Sequence, residues 1–205
     1  MILCLVTDGR HRFTIDRCRA ASRAGVDLVQ LREPALEAAA LSSLAARLVE
    51  ATGGTATRLV VNDRLDVALT SGAGGVHLRG ESIPPGRVRE MTPPGFLIGR
   101  SVHTVDEAVL AARDADYLIA GTVFPTASKP GLREHLGMDG LSAIVRAVDI
   151  PVLAIGGVSM ERIEAVAGAG AAGVAAIGLF DADADALFLR VREARRRFDS
   201  AGSAS

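Results

Sequence analysis

The sequence predicts an α/β protein built as a single (β/α)8 TIM barrel, and three observations carry that prediction. Eight short apolar runs alternate with eight longer runs of helical period along 205 residues. The short runs are continuously apolar rather than alternating, as strands of a parallel sheet covered by helices must be. One grammar also recurs at three joints: Ala24-Gly25-Val26-Asp27-Leu28-Val29, Gly72-Ala73-Gly74-Gly75-Val76 and Ala169-Gly170-Ala171-Ala172-Gly173-Val174. Each ends a helix in glycine, turns within about two residues and launches a β-branched strand, as short αβ loops require.

In chain order the strands are expected at 2–7, 28–31, 59–61, 75–78, 96–99, 117–120, 152–155 and 173–177. The helices are expected at 16–24, 36–51, 64–71, 84–91, 105–113, 139–148, 159–167 and 183–198. In the second helix Leu41, Leu44, Ala45 and Leu48 keep the i, i+3, i+4, i+7 spacing of one buried stripe. These units make one barrel domain, 1–199, near the lower size limit of that fold. An open doubly wound sheet is the alternative. The small, polar end 200–205 is expected to be a disordered tail.

Composition narrows the function. A formal net charge of −1 and an aromatic content of 3% leave neither the basic footprint nor the stacking platforms that nucleic acid needs. No apolar run approaches the ~18–20 residues of a membrane span. The first residues, Met1-Ile-Leu-Cys-Leu-Val-Thr7, read as a strand rather than a signal peptide. Cys4 and Cys18 make no metal or redox spacing and read as small buried hydrophobes. A cytoplasmic protein acting on a small-molecule phosphate is the expectation, with a homo-oligomer left open.

In such barrels the site forms at the C-terminal ends of the strands. Polar residues gather there: Thr7-Asp8, Gln30 with Arg32-Glu33, Asn62-Asp63, His77 with Arg79, and Arg100-Ser101-Val102-His103. The sixth strand breaks at Gly121 into a loop carrying Thr126, Ser128 and Lys129, hydroxyls and an ammonium that suit an oxyanion. Gly156-Gly157 and Ile177-Gly178 follow strands seven and eight. They fit a phosphate cradle, because glycines let backbone N–H groups approach an anion; the alternative is that they only make tight turns.

Arg32 and Lys129 suit a second anionic group or a diphosphate, or else surface ion pairs with Glu33 or Glu134. Asn62-Asp63 suits an amino-heterocycle and a divalent cation, unless Asp63 only caps the helix at Arg64. Of the histidines, His11 and His135 are expected in loops and His77 within the barrel lining. His103, after strand five, is placed for proton transfer or for donating to an anion.

Taken together, Val29-Gln-Leu-Arg-Glu33, Asn62-Asp-Arg64, Gly75-Val-His-Leu78, Gly99-Arg-Ser-Val-His103, Val123-Phe-Pro-Thr-Ala-Ser-Lys129 and Ala154-Ile-Gly-Gly157 resemble the thiamine phosphate synthase / TenI superfamily. Synthases of this family join a pyrimidine diphosphate to a thiazole phosphate and release diphosphate with magnesium. The resemblance implies that Gln30, Arg32, Asn62, Ser101 and Lys129 hold the pyrimidine diphosphate. Thr126, Ser128, Gly157 and the Ile177-Gly178 turn would hold the thiazole phosphate, and Asp63 would bind Mg2+.

The chain departs from the synthase pattern at two places. Pro34 stands where a lysine usually follows the Arg-Glu pair, and Ser82 stands where a second magnesium aspartate is usual, with Glu81 beside it. The TenI branch isomerises a thiazole phosphate carboxylate without a metal, using a histidine directly after the glycine that ends strand six. Here that residue is Thr122, a poor base, so His103 and Thr122 are the catalytic candidates. The leading expectation is a TenI-like thiazole tautomerase with no cofactor. The alternatives are a thiamine phosphate synthase with Mg2+ and a non-catalytic thiamine phosphate-binding protein.

Overall fold

The computed structural model describes residues 1–9, 11–126 and 135–202. Eight parallel strands close into a barrel in chain order: β1 (Ile2–Val6), β2 (Leu28–Leu31), β3 (Arg58–Asn62), β4 (Gly75–Leu78), β5 (Leu97–Val102), β6 (Tyr117–Gly121), β7 (Val152–Ile155) and β8 (Gly173–Ala176). The ring closes where Ile2 to Leu5 of β1 lie against Gly173 to Ala176 of β8. The helices are α1 (His11–Ala24), α2 (Ala38–Thr52), α3 (Leu65–Ser71), α4 (Pro85–Arg89), α5 (Val105–Ala111), α6 (Gly137–Ala147), α7 (Ile163–Gly168) and α8 (Ala184–Gly202). All eight expected strands and all eight helices are present, so the open sheet is set aside.

The alternation of side chains along a strand splits the interior into two cores. Leu3, Leu5, Val29, Leu31, Val61, Leu118 and Val174 point outward and pack under the helices. Cys4, Val6, Leu28, Tyr117, Ile119, Leu153 and Ala175 point inward and fill the barrel. The expected stripe of α2 is the buried one, Leu41, Leu44, Ala45 and Leu48. Cys4 and Cys18 are buried free thiols, and burial pushes both up to about 12.

The N-terminal ends of the strands are tied by two aspartates used in the same way. Asp27 accepts the Leu3 N–H at 2.7 Å and Asp116 accepts the Ile98 N–H at 2.7 Å. Each carboxylate is also paired with an arginine at 2.8 Å, Arg195 and Arg89 respectively. On that face of a barrel such contacts serve stability.

Most boundaries shift by one to five residues, α7 beginning only at Ile163 after a 3-10 turn over Met160–Arg162, and three differences bear on the named residues or the tail. β5 runs on to Val102, so Arg100 and Ser101 lie within the strand rather than after it. His11 opens α1 instead of lying in a loop. α8 continues to Gly202, so 200–202 is helix rather than tail. Its length follows from an alanine- and arginine-rich composition that favours helix until the final glycine and serines. Among the described residues no helix is long and apolar enough to cross a membrane.

Candidate active site

At the C-terminal mouth, β2 and β3 place Gln30 and Asn62 side by side. Gln30 is only 4% exposed, and its Nε2 donates to Asn62 Oδ1 at 2.8 Å. Gln30 Oε1 is buried without a partner among the described residues. A buried acceptor left in that state is costly, so a donor from a water or a bound molecule would stabilise it.

Ser101 is oriented from below. Its Oγ lies 2.9 Å from His77 Nε2, and His77 Nδ1 lies 3.2 Å from the Tyr117 hydroxyl. His77 is 1% exposed. Burial first, and the nearby Arg100 charge second, push its pKa down to about 3, so the imidazole is neutral with one donor and one acceptor nitrogen. Gly99 makes room for this chain of groups, since a Cβ there would lie 2.6 Å from His77 Nδ1 and overlap the Tyr117 ring.

Asp63 follows β3 with φ +61°, a left-handed conformation that aspartate tolerates better than most residues. Its N–H donates to the His77 carbonyl at 2.8 Å. Its side chain does not cap α3: the residue before that helix is Arg64, without a side-chain cap bond. Instead Asp63 Oδ2 accepts from Arg79 Nε at 2.6 Å and pairs with Arg79 Nη2 at 2.6 Å. Asp63 Oδ1 accepts from the Ser82 hydroxyl. The Ser82 Oγ in turn accepts the Arg79 N–H at 3.0 Å. Arg100 then fixes the loop that carries both residues, donating to the carbonyls of Gly80, Ser82 and Ile83 at 2.6, 3.1 and 2.9 Å.

That arrangement is the test for magnesium. A divalent ion wants several hard oxygens, usually with one or two carboxylates. Here both oxygens of Asp63 are taken, one by a cation and one by a hydroxyl. Among the described residues no group of three or more His, Cys, Asp or Glu side chains is arranged to hold a metal ion. As they stand, these side chains do not fit the metal that the resemblance implies.

His103 follows β5. Its Nδ1 is bonded to the Gly121 carbonyl, which fixes the proton on that nitrogen and leaves Nε2 as an acceptor in the neutral ring. The His103 N–H donates to Glu107 Oε2 at 2.6 Å, and Thr104 caps α5 by accepting the Glu107 N–H at 3.2 Å. Thr122, immediately beyond β6, is 7% exposed. Its side chain rests on the next turn: a Cβ on Gly156 would overlap Thr122 Cγ2.

Gly156 and Gly157 have φ of +96° and +64°. A Cβ on Gly157 would lie 2.5 Å from the Pro125 carbonyl oxygen. These glycines therefore do make the tight turn, and they also let it pack under the strand-six loop. Gly178 differs, with open space around it among the described residues. Before it, the Ile177 carbonyl accepts from Arg17 Nη2 at 2.7 Å, and Arg17 Nη1 reaches Asp8 Oδ2 at 3.5 Å. Asp8, Arg17 and Asp181 line part of a ≈ 340 Å³ cavity at this edge of the mouth.

Of the remaining candidates, Arg32 is exposed, and its backbone N–H donates to Thr7 Oγ1 at 2.8 Å. Glu33 turns inward to accept from the Thr14 hydroxyl at 3.4 Å. Thr126 lies at the end of the described loop, whereas Ser128 and Lys129 fall outside the described residues. Tyr117, Arg100 and Arg17 were not singled out by sequence reasoning as organising groups. Tyr117 carried a usable signal, because a lone aromatic hydroxyl on an inward strand position needs a partner.

Residues 3–180 match the family model described as thiamine monophosphate synthase. The chain is 42% identical over 187 residues to a thiamine-phosphate synthase of Methanoculleus marisnigri, covering 89% of each chain. It is 42% identical over 180 residues to one of Roseiflexus castenholzii, covering 86% of this chain and 79% of that one. A solved thiamine phosphate pyrophosphorylase from Pyrococcus furiosus superposes with a TM-score of 0.85 at 32% identity, covering 98% and 96% of the two chains. By fold, by matched length and by identity, the chain belongs to the thiamine monophosphate synthase family.

Proposed function

We propose that this enzyme is a thiamine phosphate synthase, the reading that its 42% identical relatives favour over the tautomerase expected first. The observation that carries it in the geometry is Gln30 Oε1, a buried acceptor without a partner, next to Asn62. The exocyclic amine of an aminopyrimidine offers the donor that this pair lacks.

In this reading Gln30 and Asn62 orient the pyrimidine, and Ser101, Arg32 and Lys129 hold its diphosphate. Ser101 is aimed by neutral His77, which keeps the hydroxyl in one geometry. Thr126, Ser128, Gly156, Gly157 and the Ile177-Gly178 turn hold the thiazole phosphate. The carbon–oxygen bond to diphosphate breaks, a carbon–nitrogen bond to the thiazole ring forms, and thiamine phosphate and diphosphate leave. Holding both partners in line supplies much of the rate by proximity. Donors aimed at the departing anion supply more.

The test is direct. Incubating the protein with both substrates in the presence of Mg2+ should yield thiamine phosphate and diphosphate in equal amounts, and a failure to form either overturns the reading. A second reading, thiazole tautomerase, is favoured by one observation: His103, held on the Gly121 carbonyl, presents an acceptor nitrogen one residue from Thr122 in the neighbouring strand end. Aromatisation of the thiazole tautomer above the uncatalysed rate, lost in His103→Ala, would support it. Stabilisation by thiamine phosphate without turnover in either assay would leave a binding protein.

A further inference from the structure

The disagreement between the implied metal and the residues present leads to a specific assignment. Arg79 is 65% exposed along its side chain, while its partner Asp63 is 20% exposed. The guanidinium is therefore the solvent-facing partner of the pair. Two of its N–H groups meet Asp63, and an arginine has five, so donors remain for a further anion.

Nothing in the loop invites Arg79 to leave. Arg100 holds three of its carbonyls, and the Arg79 N–H is itself on Ser82. A divalent cation at Asp63 would have to displace a bidentate guanidinium and a hydroxyl. It would then face the displaced positive charge at short range, with Ser82 contributing no negative charge in return.

We propose that Arg79, anchored on Asp63, is a diphosphate-binding residue of this chain, and that Asp63 serves as its anchor rather than as a metal ligand. The chemistry is a guanidinium that keeps one face on a carboxylate and turns its other donors to the phosphoryl oxygens of the substrate. Diphosphate binding then needs no divalent ion. This rests on the synthase reading, because only that reading brings a diphosphate to this side of the mouth.

The experiment measures binding rather than turnover. Inorganic pyrophosphate is titrated calorimetrically into the full chain in EDTA. Binding is expected in the wild type and should weaken about tenfold or more in Arg79→Gln, the scale of a lost charge-assisted pair. The Arg79 side chain is exposed, and circular dichroism verifies that the variant is folded. A second arm follows Mn2+ by electron paramagnetic resonance. Asp63→Asn should leave Mn2+ binding as in the wild type, whereas the double variant Arg79→Gln/Ser82→Asp should gain it.

Pyrophosphate binding that appears only on adding Mg2+, or that is unchanged in Arg79→Gln, overturns the assignment. Mn2+ binding that is strong in the wild type and lost in Asp63→Asn overturns it as well. If pyrophosphate binds as expected while no thiamine phosphate is formed, the synthase reading falls and the Arg79 site stands. If turnover is seen but Arg79→Gln binds pyrophosphate normally, the reverse holds.

Discussion

On one side of the barrel mouth, after β7 and β8, the site is shaped by backbone. Gly156 and Gly157 turn through positive φ, and the strand-six loop packs against them where any side chain would collide. On the other side, after β3 and β4, the site is shaped by charged side chains: Asp63, Arg79 and Arg100, with Ser82 between them. A backbone cradle depends on a few glycines and tolerates change around it. A charge cluster can be rewritten by single substitutions, because each member is held by its neighbours' charges and hydrogen bonds.

If the two sides act separately, a change on one should leave the other's ligand untouched. The largest effect is expected at Asp63→Asn, which keeps the left-handed backbone within reach and removes the anchor charge. Its kcat/KM for thiamine phosphate formation should fall about 10²–10³-fold, the scale of losing one electrostatic group at a site of charge development. Stabilisation of the protein by thiazole phosphate, read as a thermal shift, should not change. A parallel loss of that shift would break the separation.

Two alanines probe the cradle in a contrasting way. Gly157→Ala forces a Cβ toward the Pro125 carbonyl at a positive φ and should lower stability by about 1–3 kcal/mol. Gly178→Ala meets open space and should stay within about 0.5 kcal/mol of the wild type. If the anion sits over that turn, Gly178→Ala should still raise KM for the thiazole phosphate, by roughly tenfold for the loss of one well-placed backbone contact. Chemical denaturation and steady-state kinetics separate the two effects.

The sequence carries the backbone-made features well. Apolar runs, helix-ending glycines and the position of glycine pairs after late strands all report local geometry, and local geometry is what eight strands and the turns after β7 and β8 consist of. Asp63 was legible as a candidate at the mouth but not as Arg79's partner. That pairing spans sixteen residues in sequence and depends on how the loop after β4 folds back over β3. The same holds for His77, which reads as barrel lining until Tyr117 and Ser101 are seen on either side of it. Arg100 was placed after its strand because β5 continues further than its apolar run. The strand there is prolonged by pairing with Tyr117 to Ala120 of β6, not by its own composition.

The smallest effect concerns the charged side's hidden support. His77 lies under Ser101 among Tyr117, Arg100 and Asp63, with its pKa held down to about 3 by burial and by Arg100. An unfolded histidine takes up its proton near pH 6.5, whereas the folded protein refuses it until about pH 3. Between those values the unfolded state binds more protons, so stability rises with pH. It is complete above about 6.5 and is lost as pH falls toward 3, with a slope of about 1.4 kcal/mol per pH unit at most. Carboxylates elsewhere add their own acid dependence, so the informative quantity is the difference between wild type and His77→Gln in urea unfolding from pH 7 to pH 4. That difference should shrink as pH falls, because the variant has no proton to refuse. A constant difference would mean that His77 takes up its proton in the fold as readily as in the unfolded chain, so that burial does not hold the ring neutral.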